Sequence, residues 1–175
     1  MSKIFFIVLL LTGVLALIGG GIWVSKKPSQ APINQASLPI LALNSINFLG
    51  EKGENVSFGN KEIRLASSIF DDNQARFYNV KMSSGQIIYF FVVKDKNGIY
   101  RAAANACAVC FKTYKGFRQE GNEIVCNNCG NRYPIEKVAT EKGGCNPGPI
   151  SPNLEVENGE IVINQSDLEQ VSDLF

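Results

Sequence analysis

Five cysteines carry the chemistry open to this chain of 175 residues, and their spacing is regular. Cys107-x2-Cys110 is followed after 15 residues by Cys126-x2-Cys129, and after 15 more by Cys145. Two thiolates three positions apart on a tight turn can aim at one ion, while backbone N–H groups face the sulfurs and offset their charge. Two such turns brought together by a hairpin make a tetrahedral S4 site, which serves Zn2+; thiolates also hold iron–sulfur clusters. Spacing alone leaves three readings open: structural zinc, an iron–sulfur or mononuclear iron centre, and disulfide or thiol redox chemistry. The last must accommodate an odd number of cysteines and a CxxC loop whose bridge tends to be redox-labile.

The chain has no histidine. That excludes Cys2His2 zinc, Rieske-type ligation by protein imidazole, His-ligated haem and a Ser-His-Asp triad together. Cys145 sits in Gly143-Gly144-Cys145-Asn146-Pro147, where two glycines allow close backbone approach and a proline follows, as beside some ferredoxin ligands. It is a fourth ligand displacing one of the others, a fifth ligand of a larger cluster, a reactive thiol, or a spare buried cysteine. Between residues 101 and 142 seven basic side chains face four acidic ones, a surplus that either favours thiolates or forms a solvated face.

The segments around the cysteines read as strands and turns. Lys61-Glu62-Ile63-Arg64-Leu65 alternates, residues 75–82 and 86–93 are aromatic and β-branched, and Ser83-Ser84-Gly85 joins them. Residues 87–93 are apolar on both faces, so a central strand is expected. Asp95-Lys96-Asn97-Gly98 is a hairpin loop, and residues 99–105 return as the strand that delivers the chain into Cys107. Residues 107–149 are loop-rich, with a folded-back excursion between the CxxC pairs around Gly116 and Gly121-Asn122. Beyond them Asn158-Gly159 joins two alternating runs as a hairpin, and Ser166-Asp167-Leu168-Glu169 has the form of a capping box opening a short helix. The fold class is α+β and β-rich: antiparallel strands, a Cys-rich metal-binding loop region, a short C-terminal helix and one N-terminal transmembrane helix.

That last element rests on residues 4–24, which carry no charge and as a helix would be about 30 Å long, the thickness of a bilayer core. Trp23, Lys26 and Lys27 close it in the manner of a membrane boundary. A cleaved signal peptide is the alternative to a retained anchor. The organisation expected is an anchor at 1–25, a Pro-, Ser- and Asn-rich spacer at 26–44 containing an apolar patch at 38–43, and one domain at 45–175. A single-pass cell-membrane protein with its domain outside the cytoplasm follows. Apart from Lys3, 16 basic and 16 acidic residues follow the apolar run, a balance that gives no electrostatic case for nucleic acid.

Elsewhere the bland readings prevail. Phe77, Tyr78, Tyr89, Phe90, Phe91, Phe117 and Tyr133 belong in a core, and Arg76 in an ion pair. Asp71-Asp72-Asn73 is a loop cap, and Met82 alone makes no copper site.

Taken in order, Ala75-Arg76-Phe77-Tyr78, residues 89–95, Ala106-Cys107-Ala108-Val109-Cys110-Phe111, residues 116–121, Cys126-Asn127-Asn128-Cys129-Gly130 and Gly143-Gly144-Cys145-Asn146-Pro147 resemble the FtrD-like family of prokaryotic membrane iron–sulfur proteins. The resemblance covers roughly residues 60–165. It implies a membrane-attached domain with an iron–sulfur cluster held by Cys107, Cys110, Cys126 and Cys129, with Cys145 a further candidate. It also implies a link to ferrous-iron uptake beside a membrane permease, with electron transfer to or from a redox partner protein. Larger members carry several membrane helices where this chain has one apolar segment. The function expected is a redox carrier more than a catalyst; a Zn2+-stapled partner-binding module and a thiol–disulfide redox protein are the alternatives.

Overall fold

The computed structural model describes residues 47–175. The expected anchor, the spacer and the apolar patch at 38–43 lie outside them. Among the described residues no helix is long and apolar enough to cross a membrane.

Eleven strands and one short helix follow along this part of the chain. They are β1 (Glu54–Val56), β2 (Glu62–Ala66), β3 (Arg76–Lys81), β4 (Ile87–Lys94), β5 (Tyr100–Ala104), β6 (Phe117–Glu120), β7 (Glu123–Cys126), β8 (Arg132–Pro134), β9 (Pro149–Ser151), β10 (Val156–Glu157), β11 (Glu160–Asn164) and α1 (Gln165–Glu169). Three sheets result, in the orders β1-β3-β4-β5-β9, β10-β11-β2 and β6-β7-β8. Pairing is antiparallel as expected, except that β1 runs parallel to β3.

The five-stranded sheet is central because β4 is apolar on both faces. Successive side chains of a strand point to opposite sides, and here each side meets a different core. Ile88, Phe90 and Val92 pack with Ile63 and Leu65 of β2, Ile161 and Ile163 of β11, and Leu168 and Val171. Phe91 and Val93 face the other way, onto Phe117, Ile124, Tyr133 and three of the cysteines. Neighbouring β5 contributes Ala102 and Ala104 to the first core and Ala103 to the second. Each large apolar side chain removed from water in this way contributes about 1.5–3 kcal/mol before entropy is counted. The expected core aromatics are buried apart from Phe77, which is half-buried against Phe91 with ring centroids 5.6 Å apart.

The folded-back excursion expected at Gly121-Asn122 is a hairpin of Phe117–Glu120 and Glu123–Cys126, to which β8 adds a third strand. One local expectation needs correction: Ser166 does not cap the helix. β11 stays in register with β2 as far as Asn164, opposite Glu62, so α1 begins at Gln165 and Ser166 already lies inside it. Asn164 occupies the cap position without a side-chain cap bond. The other bland readings hold: Arg76 pairs with Asp72 at 2.6 Å, and Asp72 Oδ1 accepts the Gln74 N–H.

Candidate metal centre

Each cysteine arrives by a separate local device. β5 ends at Ala104 and hands the chain to Asn105, which is fully buried. Its Oδ1 accepts the Phe117 N–H at 2.6 Å, and its Nδ2 donates to the Glu51 carbonyl at 2.9 Å. Gly116 lies against this amide: a Cβ there would stand 2.5 Å from Asn105 Oδ1, at a φ of +61° that L side chains rarely adopt. Cys107 and Cys110 follow on a turn in which the Cys110 N–H donates to Cys107 Sγ at 3.2 Å. Phe111–Thr113 closes that turn as a single 3-10 turn, ending on Tyr114 in the left-handed region. The Tyr114 carbonyl accepts the N–H groups of Leu49 and Gly50, which lays the beginning of the described chain beside the first CxxC.

Cys126 ends β7, and the turn after it carries Cys129. The backbone N–H groups of Asn128 and Cys129 face Cys126, and that of Asn131 faces Cys129. The two CxxC turns also meet directly, since Asn128 Nδ2 donates to Cys110 Sγ at 3.4 Å. Cys145 comes from the third loop. Gly143 and Gly144 both take positive φ to turn the chain toward it, and the Gly148 N–H donates to the Ala106 carbonyl, fixing the loop's exit beside Cys107. Buried Arg101 holds the same loop by its roots. It pairs with Asp95 at 3.0 Å and donates to the carbonyls of Pro152 at 2.8 Å and Val138 at 3.5 Å.

All five predicted cysteines therefore converge. Sγ atoms of Cys107, Cys110 and Cys145 lie within 4.8 Å of one another, as do those of Cys110, Cys126 and Cys129. Cys129 and Cys145, one from each set, are 3.5 Å apart, and none of the five is in a disulfide. Exposure is graded: Cys107, Cys110 and Cys126 are 1, 9 and 2 % exposed, Cys145 is half-buried and Cys129 faces water.

Proton affinities are shifted at three of the cysteines, each for its own reason. Burial pushes the Cys126 thiol up against the two N–H groups that favour its thiolate. The Asn131 N–H brings Cys129 down to about 7, whereas its sulfur neighbour Cys129, together with burial, drives Cys145 to about 12.

Such a donor set fits a metal. A tetrahedral ion with metal–sulfur bonds of about 2.3 Å sets its sulfurs about 3.8 Å apart, within the spacing of either triplet. Five sulfurs, four of them with N–H groups aimed at them, and no competing imidazole suit zinc, iron and iron–sulfur chemistry alike. The basic surplus is smaller than the sequence count. Arg101, Arg118 and Arg132 are taken up by Asp95, Glu120 and Glu123, which leaves Lys112, Lys115, Lys137 and Lys142 without an ion pair among the described residues.

Asn105 and Arg101 are positioning residues that motif reading does not single out. The only trace of Asn105 in the sequence is a polar side chain closing an apolar strand two residues before a cysteine. Among known proteins, a family model described as membrane iron-sulfur containing protein FtrD-like matches residues 70–175. No curated protein and no solved structure matches the chain.

Proposed function

The chain belongs to the FtrD-like family of membrane iron–sulfur-containing proteins, and from that premise and the sulfur geometry we propose that it is a membrane-anchored electron carrier. One observation carries the reading: five cysteines from three separate loops bring their sulfurs into one cluster, three of them buried and two at the surface. Cys107, Cys110, Cys126, Cys129 and Cys145 would hold the centre. When bound, an iron–sulfur cluster supplies one-electron redox chemistry, its potential set by hydrogen bonds to sulfur and by solvent exposure. This chain's own residues supply both settings. Asn128 and the turn N–H groups donate to sulfur, while Phe117, Tyr133 and Phe91 keep water from the inner three. The exposed Cys129 edge is where a redox partner can approach.

Residues 1–25 serve in this reading as a single-pass anchor, with the domain outside the cytoplasm beside a permease for ferrous iron. The test is metal analysis of the full chain, purified in detergent without oxygen. Iron, acid-labile sulfide and a visible absorption bleached by dithionite are expected. A colourless protein with stoichiometric zinc ends the proposal in favour of the second reading, a zinc-stapled binding module, which the close sulfur spacing also supports.

A further inference from the structure

The five sulfurs do not form one tetrahedral set with a spare. Among the described residues two sets of three, Cys107-Cys110-Cys145 and Cys110-Cys126-Cys129, each have all their sulfurs within 4.8 Å of one another. Cys129 and Cys145 are 3.5 Å apart, so together with Cys110 they close a triangle between the two sets. The two sets use all five sulfurs and share Cys110 alone. A site shaped for one ion would gather four sulfurs within mutual reach and leave the fifth outside.

Loop architecture points the same way. Cys145 is not brought in by chance of a long loop. Arg101 grips the carbonyls at both roots of that loop, and Gly148 is bonded to Ala104 and Ala106 on the strand leading to Cys107.

We infer that the centre holds two metal ions, one in each set, with the Cys110 thiolate the ligand common to both. Three thiolates leave a tetrahedral ion one donor short. A single exogenous anion of the sulfide or hydroxide class, shared between the ions, completes both. The inference deepens the proposed function and rests on it only in taking the cysteines as metal ligands; it does not depend on the metal being iron.

The test uses the metal alone. The full chain in detergent, reduced and stripped of metal without oxygen, is titrated with Co2+ and the bound ions are counted by native mass spectrometry. Two ions are expected in the parent chain. One is expected in Cys145→Ser and one in Cys129→Ser, because each substitution removes a ligand from one set only. Cys110→Ser is expected to lose both. Since that variant can fail by misfolding, the parent loaded with 113Cd2+ gives an independent reading: the Cys110 β-protons correlate with two cadmium resonances. Uptake of one ion or none by the parent, two ions in Cys145→Ser, or coupling of Cys110 to a single cadmium overturns the inference. A protein that purifies with iron and sulfide yet takes up one Co2+ defeats it while leaving the electron-carrier reading intact. Two Co2+ ions in a protein isolated with zinc alone would do the reverse.

Discussion

At Asn105 a single buried amide ties three pieces of chain together: the strand before Cys107, the start of β6 and the segment at Glu51. Asn105→Ala leaves the Phe117 N–H buried without a partner, a loss of about 1–3 kcal/mol. Urea denaturation of the metal-loaded protein should show it, and Asn105→Asp, which keeps the acceptor, should recover part of it. Equal loss in both variants would put the role in packing instead. Cys129 offers a pH test. Its thiol is lowered to about 7 by the Asn131 N–H while Cys145 is raised, so the Cys129 thiolate fraction rises through neutrality before any other need be invoked. In the metal-free chain iodoacetamide should therefore label Cys129 ahead of Cys145, with half-maximal rate near pH 7; labelling of Cys145 first would contradict this. Both residues illustrate what sequence can carry. The CxxC pairs and Cys145 were legible because thiolate chemistry depends on residue type and spacing. Asn105 was not, because its role arises only when three distant backbone segments meet.

Among the elements, β4 was the most legible and β6 to β8 the least. Seven aromatic and β-branched residues in a row between two turn signals fit a strand covered on both sides, whereas Phe117-Arg118-Gln119-Glu120 has one buried residue in four and no period to follow. The helix start differs from the expected one for a similar reason: the capping-box pattern is local, but the pairing of β11 with β2 carries the strand through Asn164 and overrides it. Phe91 links the central sheet to the metal region, and Phe91→Ala should cost about 3–5 kcal/mol in chemical denaturation. The Asp95–Arg101 pair makes the Cys145 loop sensitive to acid. Burial raises the Asp95 carboxyl, but the Ile99 N–H, Arg101 and the Asn97 N–H outweigh it, so its pKa in the fold lies below the ordinary value. A depressed carboxyl contributes stability that is full above the unfolded value, about 3.9, and is lost as pH falls through the folded one. Unfolding free energy should thus decline below about pH 4 in the parent and decline less steeply in Asp95→Asn. Matching slopes would show that this pair does not set the acid limb.

For the molecule as a whole, the two cores on either side of the central sheet should respond differently to metal. In the proposed centre bound metal ties three loops together, so chelation should accelerate amide exchange across residues 106–149 and leave it slow in β2 and β11. Uniform acceleration would mean that one cooperative unit depends on the metal. Membrane attachment is read from residues 4–24, and protease added to intact cells stripped of their outer layers should remove the domain if it faces outward. Survival of the domain would place it inside. That β4 serves two cores at once also limits how this chain can change length. One residue inserted or deleted within 87–94 would exchange its faces, turning Phe90 and Val92 toward the cysteines and Phe91 and Val93 toward β11. Natural variation in length should accordingly collect at the bends around 83–85 and 95–98, outside the strand, and any change inside it should come in pairs.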